Sequence, residues 1–134
     1  MNWFAKEMYI LNEAKVEQLD NGIVSVIYPK KGLITLGMFH NIYDQIRNLA
    51  SEPVPIMIIG QRVHYVEYGA LELTTTPEVA AMVSAQAIVT KTRLECLLGE
   101  LYLKTHRTKY PSRCFLSEEE AQRWLLLETS AHTS

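Results

Sequence analysis

The chain has 134 residues, 48% of them hydrophobic and 21% charged. That balance fits one globular domain with a buried core and excludes a disordered chain. A formal net charge of -2 excludes any global attraction to nucleic acid or to an anionic membrane.

The first residues, "MNWFAKEMYI", lack the basic start and long apolar run of a signal peptide. No window approaches the roughly 18 apolar residues of a membrane helix. Asn2 and the final "AHTS" carry no lipid-anchor signal. These features predict a cytoplasmic protein with no membrane insertion, in which residues 1–13 extend ahead of the domain. "AKVEQLDNGIVSVIY" then reads as a β-hairpin turning at "DNG", residues that tolerate positive φ. In "ITLGMFHNIYDQIRNLA", Phe39, Ile42, Tyr43, Ile46, Leu49 and Ala50 recur at helical spacing, with Thr35 as N-cap, and "SEPVP" ends the helix.

"VPIMIIG" is wholly apolar between a proline and a glycine, the pattern of a buried parallel strand. "TTTPEVAAMVS" predicts a short helix capped by Thr76, with Pro77 in its first turn. "AQAIVT" is a further strand. "TKTRLECLLGELYLK" opens on a Thr92–Glu95 capping box. Its Leu94, Leu97, Leu98, Leu101 and Tyr102 form one apolar stripe, and Gly99 inside the helix implies close packing there. "SRCFL" is the last strand and "SEEEAQRWLLLE", capped by Ser117, the last helix; residues 129–134 are expected to fray.

The order ββαβαβαβα predicts an α/β fold, a mostly parallel sheet with right-handed crossovers and an antiparallel N-terminal strand at one edge. Residues 14–128 then form a single domain.

Several of these stretches, "DNGIVSVIYPKKGLITL", "PIMIIG", "AIVTKTRLECLLGELYLK" and "YPSRCFLSEEEAQRWL", together resemble a family of small bacterial proteins. Its members are described as SpoIIAA-like or STAS/SEC14-type domains, mostly of unknown function. The resemblance spans about residues 14 to 127 and is most specific at the end, from Tyr-Pro through Ser-Glu-Glu-Glu-Ala to Trp-Leu. It implies about four βα turns wound in one direction. In the best-known relatives, the anti-sigma factor antagonists, a serine at the start of the helix after the third strand is phosphorylated and controls binding to a partner kinase. The motif there is Asp-Ser-Ser-Gly or similar. This chain reads "GQRVHYVEYGALELTTTPE" instead, with no serine between Pro53 and Val83.

Two sets of candidate site residues follow. Arg62, His64, Tyr65 and Tyr68 come just after a predicted parallel strand, where open α/β sheets bind ligands. Arg62 and His64 suit an anion and the tyrosines a ring; equally, "RVHYVEY" alternates and would serve as a connector with Val63 and Tyr65 packed inward. Thr74, Thr75 and Thr76 are the nearest hydroxyls to the missing serine, and a helix N-terminus favours phosphate, which makes Thr75 or Thr76 the candidate acceptor. A threonine before proline and glutamate is also an ordinary cap.

His40 and Asp44, at i and i+4, read as a surface pair, and no metal site or cofactor is expected. Cys96 and Cys114 match no zinc spacing and read as reduced, buried thiols. The loop with Lys104, His106, Arg107, Lys109 and Arg113 suits a helix C-terminus better than nucleic acid. With no GxSxG motif and no P-loop, an enzyme is not expected.

The expectation is a non-catalytic protein working through protein contacts, as a homodimer or with a regulatory protein. Crossovers of one hand crowd one sheet face, so the other would be covered by Trp3, Phe4, Met8, Tyr9 and Ile10 or by a neighbour. The alternatives are a module for a small apolar or lipid-like ligand and a phospho-regulated antagonist.

Overall fold

A computed structural model describes residues 14–28, 32–60, 63–66, 68–105 and 109–133. Strands β1 (Lys15–Gln18) and β2 (Val24–Ile27) form the expected antiparallel hairpin, with Lys15 opposite Ile27. Its turn is built by local chemistry. Gly22 takes φ 90°, open to glycine without strain, and Asn21 Oδ1 accepts from the Ile23 N–H at 3.2 Å.

After a short strand β3 (Gly32–Ile34), helix α1 (Leu36–Leu49) starts where Thr35 Oγ1 accepts from the Met38 N–H at 3.1 Å. Strand β4 (Val54–Ile59) follows, then β5 (Val63–Val66) and helices α2 (Tyr68–Leu73) and α3 (Pro77–Ala80). Strand β6 (Val83–Val89), helix α4 (Arg93–Thr105), strand β7 (Ser112–Phe115) and helix α5 (Glu118–Thr133) complete the chain.

The main sheet has the order β1-β2-β4-β6-β7, antiparallel only between β1 and β2. Each parallel strand adds on the same side of the one before it, so crossovers of one hand lie on one face. There Val24, Val26 and Ile56 pack with Phe39, Ile42, Tyr43 and Ile46 of α1 and with Val79 of α3. The opposite face carries Met57, Ala85, Ala87 and Val89, which pack on Ala121 and Leu125 of α5. The alanines let that helix come close, and Phe115 meets Trp124 at 5.6 Å between ring centroids.

The second face is therefore covered in part by the chain's own last helix, where the sequence argument looked to residues 1–13 or a neighbour. Helix α5 follows the edge strand β7 and folds back beneath β6 and β4, where small alanines leave room for it. It also continues to Thr133, through residues expected to fray. No glycine or proline interrupts it, and Thr129 Oγ1 donates to the Leu125 carbonyl at 2.9 Å. Residues 1–13 lie outside the described residues.

Strands β3 and β5 form a second, two-stranded parallel sheet in which Leu33 pairs with Tyr65. Neither strand nor α2 was expected. Strands of three and four residues are too short to show a period by themselves, and the pairing that makes them strands is non-local.

Candidate functional site

Arg62 lies outside the described residues. His64 and Tyr65 sit on β5, and Tyr68 is the first residue of α2. The segment after β4 is thus a paired strand followed by a helix. Helix α2 lies against α1, since a Cβ at Gly69 would meet Leu36 Cδ2 at 3.5 Å.

The threonine run ends that helix and ties together separate parts of the fold. Thr75 Oγ1 donates to the Glu72 carbonyl and Thr76 Oγ1 to the Leu73 carbonyl, each at 2.8 Å. Thr76 also caps α3 by accepting from the Val79 N–H at 3.4 Å. The Thr74 carbonyl accepts from the Tyr110 hydroxyl at 3.2 Å, and Tyr102 stands beside Thr74.

Around Thr74 lies a buried aromatic cluster. Tyr28 stacks on Phe39 with centroids 6.3 Å apart, and Phe39 meets Tyr43 edge-on at 6.0 Å. The hydroxyls of Tyr43 and Tyr110 bond each other. Burial pushes all four phenols, Tyr28, Tyr43, Tyr102 and Tyr110, above the ordinary tyrosine range. At neutral pH they are uncharged, so they join α1, α4 and the approach to β7 rather than act as bases.

At the carboxyl ends of β4, β6 and β7 is an open groove of about 430 Å³. Ile59, Gly60, Val89, Thr90, Lys91, Leu116, Ser117 and Glu118 line it. It is the place where parallel sheets hold ligands. Its helix terminus is already satisfied, because Ser117 Oγ accepts from the Glu120 N–H at 3.1 Å and three glutamates fill the first turn of α5. Those carboxylates oppose an incoming anion.

Helix α4 has two apolar faces on opposite sides. Its start is the expected capping box: the Glu95 N–H donates to Thr92 Oγ1 at 3.1 Å, and that hydroxyl donates to Glu95 Oε1 at 2.9 Å. The narrow face meets β7. A Cβ at Gly99 would lie 2.5 Å from Cys114 Sγ, so glycine is what allows this approach. Beside it Glu100 Oε1 accepts from the Cys114 N–H at 3.1 Å, covering an outward donor of the edge strand. Burial, then the Glu100 carboxylate and Cys96, push the Cys114 thiol up to about 12. That leaves it protonated and inert, and both thiols are free.

The broad face carries Leu94, Leu97, Leu98 and Leu101, exposed at 66%, 66%, 55% and 61%. The four leucines of the stripe thus face away from the core, and no residue of α4 is fully buried. Gly99 is the signal that marks this. At 100° per residue, it lies opposite the centre of the leucine stripe, so the close-packed side cannot be the leucine side.

Among the described residues no group of three or more His, Cys, Asp or Glu is placed to hold a metal, and no helix is long and apolar enough to cross a membrane. Asp44 pairs with Arg47 at 2.6 Å, not with His40. Of the basic loop, His106 and Arg107 lie outside the described residues.

The model of a family described as "Domain of unknown function (DUF7793)" matches residues 18–127. The chain belongs to this family. The match runs from the end of β1 into α5, so the DUF7793 unit takes in the four parallel strands of the main sheet and their crossovers. Among solved structures the chain is similar to an uncharacterised protein of the DUF3478 family, with a SpoIIAA-like fold, from Shewanella loihica PV-4. The TM-score is 0.61 at 12% identity, over 84% of this chain and 91% of that one. The DUF7793 chain thus has the SpoIIAA-like fold that its sequence implied. No curated protein matches it.

Proposed function

We propose that the domain is a non-catalytic interaction module whose working surface is the leucine face of α4. The observation that carries this reading is that face: four leucines aligned on one helix and left in solvent by a fold that buries the opposite side. Contiguous apolar surface of this kind mostly marks a contact site. The buried phenols and the inert Cys114 thiol support it, since they are held as packing groups.

The test compares the wild-type chain with a Leu97→Glu/Leu98→Glu variant as baits in extract of the native cell. Proteins retained by the wild type are expected to be lost from the variant, with both giving the same circular dichroism spectrum. Identical sets of retained proteins would refute the reading.

A second reading, a small amphipathic ligand, is favoured by the groove at the carboxyl ends of β4, β6 and β7. Native mass spectrometry of protein from its own cells tests it. A bound molecule lost on Gly60→Leu substitution supports the reading, and bare protein counts against it.

A further inference from the structure

We infer that the occupant of the α4 leucine face is a second copy of this chain, packed through a two-fold axis with the two α4 helices antiparallel. This rests on the proposed role of that face in protein contacts and adds the identity of the partner.

The first reason is symmetry. A two-fold interface uses the same patch on both copies, so the patch must fit its own reverse. The spacing of Leu94, Leu97, Leu98 and Leu101 reads the same in both directions. Antiparallel pairing sets Leu94 opposite the other copy's Leu101 and Leu97 opposite its Leu98, closing the apolar row on itself. A partner of arbitrary sequence has no need of that symmetry.

The second reason is area. Four leucines exposed at 55–66% offer on the order of 400 Å² per copy. Two copies meeting there would bury on the order of 800 Å² from leucine alone, most of the roughly 1,200 Å² of a small stable interface. The exposed Thr105 and the stems of Arg93 and Lys104 border the row and supply further area.

The third reason is charge. No charged residue lies within the row, and the nearby carboxylates are committed: Glu95 to its own cap and Glu100 to the Cys114 N–H. Apart from Arg93 and Lys104 at its borders, the face asks for matching apolar surface rather than for an acidic or basic partner.

The test uses the purified full chain. Sedimentation equilibrium over micromolar concentrations is expected to show a dimer. Leu97→Glu/Leu98→Glu should weaken it by at least about 100-fold, because two carboxylates per copy would enter the seam. Leu127→Glu, at an exposed leucine on α5 beneath the other sheet face, should leave it unchanged. Unchanged circular dichroism keeps the comparison free of unfolding. Orientation is read in a Cys96→Ser background. A mixture of Leu94→Cys and Leu101→Cys chains should form crosslinked pairs on mild oxidation, and each alone should not.

A wild-type monomer overturns the inference, as does a dimer that survives the α4 double substitution or one that crosslinks Leu94→Cys to itself. The wider reading fails separately. If the wild type is monomeric but loses other captured proteins on the same substitution, the face is an interaction site for a different partner.

Discussion

Helices α1 and α4 announce themselves in the sequence by the same apolar spacing, yet the fold uses them in opposite ways. Phe39, Ile42, Tyr43 and Ile46 of α1 are buried against β2 and β4, while Leu94, Leu97, Leu98 and Leu101 of α4 stand in solvent. Periodicity says that a helix has an apolar face; it does not say what the face meets. That is decided by the smaller residues. Helix α1 packs on the β1–β2–β4 side of the sheet, where its large side chains fill the space. Helix α4 lies over the edge strand β7 and approaches it through Gly99, opposite the leucines, so its large residues have no core to enter.

The largest effect expected on the α1 side is alkaline. The buried phenols have raised pKa values in the folded state. Stability from keeping them neutral is complete below the unfolded pKa of about 10, and is lost as pH climbs above it, because the unfolded chain can ionise and the folded one cannot. The fold should unravel cooperatively above about pH 10, followed by circular dichroism and the phenolate absorbance together. Phenolate appearing well before the loss of structure would show that the cluster is open to water.

Next comes Ile46→Ala, which removes a fully buried side chain from the centre of that packing. A loss of about 3 kcal/mol is expected in urea unfolding.

Much of this division was legible before the structure. The hairpin turn, the caps at Thr35, Thr76, Thr92 and Ser117, and the strand order all rest on local chemistry or on short connections, which a sequence displays directly. The resemblance reached the right fold through the same segments. The misreadings share one physical origin: they depend on which elements meet. Strands β3 and β5 exist because each pairs with the other, so "RVHYVEY" looked like a connector. Helix α5 covers the second face through contacts with β4 and β6, distant in sequence, which a pattern of alternating elements does not reveal. The leucine stripe is plain in the sequence, but whether it meets core or solvent is not. Gly99 marks the side of α4 that packs closely, which is opposite the leucines. Of the candidate site residues, the threonines proved to be joined to the tyrosine cluster through Thr74, a link that needs residues from three distant segments.

Two glycines sharpen the contrast. Gly99→Ala would gain helix propensity, but its Cβ would press on Cys114 Sγ at 2.5 Å within a buried contact. A net loss of about 1–2 kcal/mol is expected. Gly37→Ala in α1 meets only Thr35 Oγ1 at 3.9 Å, so the same change there should stabilise by up to about 1 kcal/mol. If both substitutions stabilise, α4 does not sit on β7 as closely as glycine permits. Thr76→Ala, which removes the cap of α3, should cost about 1 kcal/mol in the same assay.

The smallest effect is the most telling one. Leu97→Ala deletes as much apolar side chain as Ile46→Ala, but from a residue 66% exposed. Measured in dilute solution, its urea midpoint should lie within about 0.5 kcal/mol of wild type, as for other surface positions. A cost near that of Ile46→Ala would mean the leucine face is covered within a single chain. Concentration then separates the remaining cases. A partner that binds only the folded chain raises stability with its own concentration. If that partner is a second copy, the wild-type midpoint should climb as the protein is concentrated while that of Leu97→Ala climbs less. The same substitution would then be silent in the monomer and visible in the assembly, as expected of a residue that the fold leaves exposed for another surface to cover.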